Sequence, residues 1–314
     1  MSQTKVSVVI PVFNEEAVLP ELFRRLQAVF DRDPGTSWTA IFVNDGSRDS
    51  SLRLLQAAAA ADPRFVPVDL SRNFGFQAAL AAGLAEADRR AADAVVTMDA
   101  DLQDPPEVIP DLIAAWRQGA EVVLAVRRSR QETGLRRLAF DSFHKIFRQV
   151  TDHPMKANTG TFGLMGRTAL ETLNNLPERN RFFPGLRSWV GFGVAEVLYD
   201  RQERAAGQSQ QSFGRLVRYA FDGVFSFSYL PLRLLTYAGV FVSLIGFALG
   251  TFFVVRRILK IEVAATGFTT LVTLMLFLGG VQLIGIGILG EYLGRIYDEV
   301  KQRPHYIVRR APQK

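Results

Sequence analysis

Two long uncharged segments near the carboxyl-terminal end constrain this chain more than any other feature. Residues 234–255 and 266–289 contain no Asp, Glu, Lys or Arg and consist mainly of Phe, Leu, Val, Ile and Gly. About 20 apolar residues in an α-helix cross the hydrocarbon core of a bilayer. A core helix of a soluble protein normally keeps a polar face, which both segments lack. The sequence therefore predicts two transmembrane helices.

The basic residues around these segments predict their orientation. The short loop between them carries Arg256, Arg257 and Lys260, and the outer flanks carry a larger set: Arg215, Arg218, Arg233, Arg295, Lys301, Arg303, Arg309, Arg310 and Lys314. Cytoplasmic flanks are enriched in Lys and Arg, so both ends of the chain are expected in the cytoplasm. The first residues show no signal-peptide pattern, which supports a cytosolic amino-terminal domain at the inner membrane.

Composition excludes some functions. The sequence has no cysteine, which rules out thiolate catalysis and a cysteine-based zinc site. The net charge of +6 suits attraction to anionic membrane lipid. No nucleic-acid-binding motif accompanies that charge, so nucleic acid is not expected as a partner.

Aromatic and arginine residues are interleaved just before the first uncharged segment. Residues 213–231 combine several Phe and Tyr with Arg215 and Arg218, a composition that favours amphipathic helices lying in the headgroup layer. Residues 181–192 show a similar mixture and are interpreted in the same way, with packing in the protein core as the alternative for both segments.

The first 212 residues have the pattern of an α/β domain. Apolar β-branched runs at 5–12, 39–43, 65–69, 94–98 and 121–126 predict strands, and residues 15–30, 50–61 and 77–91 predict helices. Alternation of this kind predicts a Rossmann-like, mostly parallel sheet. The predicted organisation is therefore a cytosolic domain at 1–212, interfacial helices at 213–231, a transmembrane hairpin at 232–293 and a basic cytosolic tail at 294–314.

Polar residues follow three of the predicted strands. One strand ends at Asp99-Ala100-Asp101, where the two carboxylates point to the same side because strand side chains alternate. Ligands of parallel sheets bind beyond the carboxyl ends of the strands, so these residues should meet the segments that begin at Pro11 and Asn44. Paired carboxylates suit a divalent cation that carries a diphosphate. The sequence lacks the Gly-rich signatures of dinucleotide-binding dehydrogenases and P-loop ATPases, which disfavours both classes.

Several motifs together resemble a known family. They are the segments Val9-Ile10-Pro11-Val12-Phe13-Asn14-Glu15, Val43-Asn44-Asp45-Gly46-Ser47-Arg48-Asp49, Asp99-Ala100-Asp101-Leu102-Gln103-Asp104-Pro105-Pro106-Glu107, the Arg-x-x-Gly-x-Ser segment within 201–209, and Gly290-Glu291-Tyr292-Leu293-Gly294-Arg295-Ile296-Tyr297. In this order they resemble the family 2 inverting glycosyltransferases of GT-A fold. Among these, the chain is similar over nearly its whole length to the polyisoprenyl-phosphate glycosyltransferases, which include dolichyl-phosphate mannose synthase and the bactoprenol glucosyltransferases.

The resemblance implies a reaction and a set of site residues. It implies transfer of a hexose, with inversion, from a nucleotide sugar to a polyprenyl phosphate such as undecaprenyl phosphate; UDP-glucose is the first expected donor and GDP-mannose the second. It also implies Mg²⁺ or Mn²⁺ as cofactor and a homo-oligomer. The implied metal ligands are Asp99, Asp101 and Gln103, the implied phosphate-binding residues are Arg127 and Arg204, and the implied nucleotide-binding residues are Pro11, Phe13, Glu15, Val43, Asp45, Ala100 and Ser209.

Two positions depart from the pattern of the relatives and keep alternatives open. Gln210 stands where many relatives have Lys, and Thr161 stands where bacterial relatives commonly have an Asp that is proposed as a base. A phosphate acceptor is already anionic near neutral pH, so Thr161 favours a lipid phosphate over an alcohol. The alternatives are a processive polysaccharide synthase, whose Gln-x-x-Arg-Trp motif is not evident, and a catalytically weakened membrane adaptor of the same fold.

Overall fold

The computed structural model describes residues 3–128, 159–178, 181–202, 230–259 and 267–309. These residues belong to two compact units. The first unit comprises residues 1–220 together with 303–314, and the second comprises residues 221–302. The end of the basic tail thus belongs to the globular unit.

The first unit is built around one seven-stranded sheet. Its strands are β1 (Thr4–Val12), β2 (Thr36–Asn44), β3 (Phe65–Asp69), β4 (Ala94–Thr97), β5 (Val122–Arg127), β6 (Thr159–Gly166) and β7 (Val194–Tyr199). Their order is β3-β2-β1-β4-β6-β5-β7. Strand β6 runs antiparallel to both of its neighbours, and every other pair is parallel. The predicted mostly parallel α/β sheet of the GT-A fold is confirmed.

Helices cover both faces of this sheet. They are α1 (Leu19–Arg32), α2 (Ser51–Ala61), α3 (Phe76–Arg89), α4 (Ile109–Arg117), α5 (Arg167–Asn174) and α6 (Phe183–Trp189), with a 3₁₀ turn at Pro106–Val108. Strand β1 is buried on both faces, which is why it reads as a continuous apolar run rather than an alternating one. Between α1 and the sheet, Phe23, Phe42 and Phe65 pack together with ring centroids 5.3–5.5 Å apart.

Residues 181–192 do not form the predicted membrane-interface segment in the described structure. Phe182, Phe183 and Leu186 are buried, and Arg187 is buried with them. The N–H of Phe183 donates to the Gln77 side chain on α3, which ties the start of α6 to the sheet unit. The aromatic residues of this segment belong mainly to the protein interior, although Trp189 is 46% exposed. The other predicted interface segment, 213–231, lies almost entirely outside the described residues.

The second unit contains two long helices, α7 (Leu230–Ile258) and α8 (Phe268–Val300). Both are long and apolar enough to cross a membrane by length and composition, within the windows Leu232–Leu249 and Phe277–Val300. The helix α8 continues beyond the predicted end at residue 289 and places Glu291 and Arg295 one turn apart, 3.0 Å from each other.

Candidate active site

The carboxyl ends of β1, β2 and β4 meet at a pocket of about 250 Å³. Seven of the residues expected from the sequence line it: Pro11, Phe13, Glu15, Asp45, Asp99, Ala100 and Asp101. Asn73, Gly75 and Phe76, which the sequence analysis did not single out, also contribute to the lining. Val43 is fully buried in β2 and does not line this pocket. The strand ends thus converge as the sequence predicts, and the loop before α3 joins them at the pocket.

Asp45 holds the loop before α3 in place. Its two carboxylate oxygens accept hydrogen bonds from the N–H groups of Phe74 and Gly75, at 2.7 and 2.9 Å. Burial raises the pKa of Asp45, and the two backbone hydrogen bonds act in the opposite direction. Gly46 follows with φ of +66°, and a Cβ there would lie 2.5 Å from the backbone of Arg72 and Asn73. The turn after β2 and the loop after β3 are therefore in direct contact.

Asp99 and Asp101 form the acidic part of the pocket. One carboxylate oxygen of Asp99, Oδ1, is buried and has no hydrogen-bond partner among the described residues. Burial, together with the charges of Asp104 and Asp101, raises the pKa of Asp99 to about 7, although Arg127 and Arg201 oppose the shift. A buried carboxylate oxygen without a partner costs free energy unless a proton or a cation satisfies it.

The donor set therefore fits a hard divalent cation with Asp99 and Asp101 as protein ligands. Within the described ranges, no group of three or more His, Cys, Asp or Glu side chains is arranged to hold a metal ion. Two carboxylates leave room for phosphate oxygens and water, as Mg²⁺ and similar ions prefer at substrate sites.

The turn that carries these carboxylates is held in an unusual backbone conformation. Leu102 has φ of +60°, a left-handed conformation that costs a non-glycine residue about 1–2 kcal/mol. Its side chain is buried, so packing of the side chain holds the backbone there. The N–H of Gln103 then donates to the Asp101 carboxylate at 3.1 Å.

Gln103, expected from the resemblance as a metal ligand, contacts another segment instead. Its side-chain oxygen accepts a hydrogen bond of 2.6 Å from Arg201, and its backbone carbonyl accepts one of 3.0 Å from the N–H of Gln202. These bonds fasten the beginning of the 201–209 segment to the carboxylate turn. Arg204 and Ser209, the other expected residues of that segment, lie outside the described residues.

Arg127 belongs to a charged network that sequence reasoning did not find. Its Nε donates to the hydroxyl of Tyr199 at 3.1 Å, and that hydroxyl donates to the buried carboxylate of Asp104. Arg127 and Arg201 each lie 3.9 Å from the same carboxylate. Burial alone would lower the pKa of Arg127, but Tyr199 and Asp104 raise it. Arg127 is therefore a fixed cation beside the Asp99 carboxylate.

Thr161 lies on β6, two residues from the pairing of Gly163 with Thr97. Its carbonyl oxygen accepts hydrogen bonds from the hydroxyl of Thr97 and, at 3.3 Å, from the guanidinium of Arg187. Arg187 also donates to the Gly160 carbonyl at 2.9 Å. Burial lowers the pKa of Arg187 to about 10, so this arginine stays charged at neutral pH. The main chain of this segment is thus held firmly beside the acidic pocket.

A mostly parallel sheet with paired carboxylates at its carboxyl edge, beside a fixed arginine, defines a glycosyltransferase domain of GT-A type. The family model "Glycosyl transferase family 2" matches residues 7–173, a range that runs from within β1 to beyond β6 and includes both carboxylates. The chain belongs to glycosyl transferase family 2.

Curated relatives match nearly the whole chain. A prophage-derived bactoprenol glucosyl transferase of Shigella flexneri is 44% identical over 308 residues, which is 98% of each chain. The prophage bactoprenol glucosyl transferase homolog of Escherichia coli K12 is 41% identical over 98% of this chain and 99% of its own. An uncharacterized glycosyltransferase of Synechocystis is 44% identical over 97% and 94%. The similarity thus extends beyond the sheet unit through the two long helices.

Proposed function

We propose that this protein transfers a hexose, with inversion, from a nucleotide sugar to a polyprenyl phosphate at the cytoplasmic face of the membrane. UDP-glucose is the proposed donor, and GDP-mannose is the second candidate. The observation that carries the proposal is the buried, unpartnered oxygen of Asp99 beside Asp101, in a pocket lined also by the strand ends of β1 and β2. The acceptor follows from the bactoprenol glucosyl transferases that match 98% or more of this chain.

Asp99 and Asp101 would hold the divalent cation, Mg²⁺ or Mn²⁺. When bound, the cation supplies charge to the diphosphate of the donor. Gln103 is engaged with Arg201, so the two carboxylates are the ligands assigned to the protein. Asp45, Asn73 and Gly75 surround the part of the pocket that we assign to the nucleotide.

The reaction is a single displacement. An oxygen of the lipid phosphate forms a bond to the anomeric carbon, the bond from that carbon to the diphosphate breaks, and the nucleoside diphosphate leaves with the electron pair. A phosphate monoester carries about −1.5 to −2 charges at pH 7, so the attacking oxygen needs no base. Thr161 in place of an acidic side chain agrees with that acceptor.

Arg127 is the proposed contact for a phosphate of the donor or the acceptor. The planar guanidinium of arginine donates two hydrogen bonds at once to phosphate oxygens. Tyr199 and Asp104 hold this guanidinium in a fixed position, which is the condition for stabilising charge without reorganisation. Arg204 is the proposed second cation, on the segment that Gln103 fastens through Arg201 and Gln202.

The membrane placement rests on α7 and α8. Both contain windows apolar enough to cross a bilayer, and we assign them as a transmembrane hairpin with both ends of the chain in the cytoplasm. With this orientation the sheet unit is in the cytoplasm, on the side that supplies the nucleotide sugar.

The test is transfer of labelled sugar by the full chain in membranes. Radiolabelled UDP-glucose or GDP-mannose is supplied with undecaprenyl phosphate and Mn²⁺, and label in the organic phase is counted. We expect transfer from one donor, inhibition by EDTA, no transfer to the corresponding alcohol, and a β-linked product from the α-linked donor. Asp101→Asn should lower transfer at least a hundredfold, because it removes a charged group from the reacting centre.

A matched control and two alternative outcomes make the test decisive. Asp111→Asn removes the same charge from an exposed position in the first turn of α4 and should leave transfer unchanged. Lipid binding without transfer from either donor would refute the proposal and support a membrane adaptor. Products of increasing length would indicate a processive synthase instead.

A further inference from the structure

The carboxyl-terminal tail of the chain, residues 303–309, lies against the end of β3. The N–H of Ser71 donates to the carbonyl of Ile307 at 2.8 Å, and the N–H of Arg309 donates to the carbonyl of Asp69 at 2.7 Å. These two bonds flank an antiparallel bridge between Leu70 and Val308. Because β3 is an edge strand of the sheet, the tail covers backbone groups that would otherwise be open there.

The side chain of Arg309 adds to this contact. Its guanidinium donates to the carbonyl of Ser71 at 3.2 Å and lies 3.7 Å from the carboxylate of Asp69. Asp69 also accepts a 2.7 Å hydrogen bond from the side chain of Asn44, and the N–H of Leu70 donates to the Asn44 carbonyl at 3.0 Å. The tail is therefore joined to the turn that begins at the end of β2.

The loop after β3, residues 71–75, connects this contact to the pocket. At one end the tail binds Ser71, and at the other the Asp45 carboxylate binds the N–H groups of Phe74 and Gly75. Two residues of the loop line the pocket. Asn73 lies between the two anchors, and Gly75 belongs to the second anchor. Within the described structure, the loop is thus fastened once by the tail and once by Asp45.

We propose that residues 307–309 of the tail are a positioning element for the nucleotide pocket: they hold the 71–75 loop in the conformation that binds the nucleotide. The inference rests on the proposed function only for the identity of the ligand. Without the tail, the first anchor of the loop is lost, and the nucleotide must order the loop when it binds. The free energy of that ordering is subtracted from the binding free energy.

The expected effect falls on affinity rather than on turnover. Removal of the tail breaks the backbone hydrogen bonds that join it to Ser71 and Asp69, so the nucleotide Kd should rise about tenfold, equivalent to 1.4 kcal/mol. The contacts of the tail are with Asp69, Leu70 and Ser71 rather than with Asp99 or Arg127, so kcat at saturating donor should remain within about twofold of the intact chain.

The experiment compares the full chain with a chain that ends at Gln302. UDP and GDP binding is measured by calorimetry in detergent with Mn²⁺, and hydrogen exchange is followed in peptides that cover residues 70–75. Arg309→Pro is the second variant, because it keeps the length of the chain and removes both the N–H that donates to Asp69 and the guanidinium that donates to Ser71. Arg303→Ala, at an exposed arginine near the start of the tail, is the control for charge.

We expect weaker nucleotide binding and faster hydrogen exchange at residues 70–75 in both variants, and wild-type values in Arg303→Ala. An added peptide of residues 303–314 should restore nucleotide binding by the truncated chain. Unchanged binding and exchange after truncation would overturn the inference. The full chain could bind a nucleotide more tightly than the truncated chain does and still transfer no sugar. In that case the proposed function fails and the inference stands. A full chain that binds neither nucleotide would overturn both.

Discussion

Tyr199→Phe tests the network that holds Arg127 by the removal of one oxygen atom. The ring of Tyr199 packs edge-on against Phe162, with centroids 5.4 Å apart, and phenylalanine keeps this contact. The hydroxyl accepts from Arg127 at 3.1 Å and donates to Asp104. The substitution therefore separates the hydrogen bonds of the tyrosine from its packing.

The structure gives the size of the effect. A hydrogen bond with a charged partner contributes about 1.5–3 kcal/mol, and this hydroxyl has two such partners. Arg127 and Arg201 remain 3.9 Å from Asp104, so we expect a loss near the lower end, about 2 kcal/mol in the free energy of unfolding. Burial raises the pKa of Asp104 and the bond from Tyr199 lowers it, so loss of the hydroxyl raises that pKa further.

Two measurements check this prediction. The apparent melting temperature of the full chain in detergent should fall by about 4–8 °C, the shift that about 2 kcal/mol produces in a domain of this size. At a temperature where both proteins are folded, kcat/KM for sugar transfer should fall about tenfold, equivalent to 1.4 kcal/mol, because Arg127 loses its fixed orientation. Tyr297→Phe, at an exposed tyrosine, should change neither quantity.

A lowered melting temperature with unchanged kcat/KM would refute the positioning of Arg127 by Tyr199 and leave the tyrosine a structural role alone. No change in either quantity would refute the hydrogen-bond network itself.

Three further substitutions test other parts of the unit. Gly46→Ala places a Cβ 2.5 Å from backbone at φ +66°, so it should cost about 2 kcal/mol or more in unfolding free energy and weaken nucleotide binding in a calorimetric titration. Arg64→Met removes the hydrogen bonds that hold the pKa of Asp62 below its usual value. That contribution is present above about pH 4 and is lost as pH falls through the lowered pKa, so denaturant curves of variant and wild type should differ by about 1 kcal/mol at pH 7 and converge as the solution is made more acidic than that pKa. Thr161→Asp should not raise kcat with a lipid phosphate acceptor, because no proton has to be removed; a clear increase in a steady-state assay would contradict the mechanism.

The fold was predictable where local pattern and final environment agree. The runs that became β1 to β5 are compact and apolar because most of them are buried on both faces, and the helices between them show clear amphipathic spacing. Strand β6 was missed because its three glycines, Gly160, Gly163 and Gly166, have low strand preference; its position is fixed by pairing with β4 and β5 instead. Long-range pairing of this kind leaves no local signal.

The same distinction applies to the site. The convergence of Asp45, Asp99 and Asp101 was predictable because each lies within about four residues of the end of a strand, and parallel strands bring their ends together. Tyr199 and Arg201 lie about a hundred residues from Asp104 in the sequence and meet it only because β7 pairs with β5. The one available signal was their position at the end of an apolar run, next to the Arg-x-x-Gly-x-Ser segment.

The main-chain hydrogen bonds of β6 explain why a neutral residue is tolerated at Thr161. Its position depends on the main chain, since the carbonyls of Gly160 and Thr161 accept hydrogen bonds from Arg187 and Thr97. The side chain at 161 can therefore change without moving β6 or the carboxylates beside it. An added carboxylate there would stand near Asp99, whose own ionisation burial already disfavours. A negatively charged acceptor would be repelled by a carboxylate at position 161 and is not repelled by threonine. The residues proposed to bind its charge are Arg127 and Arg204.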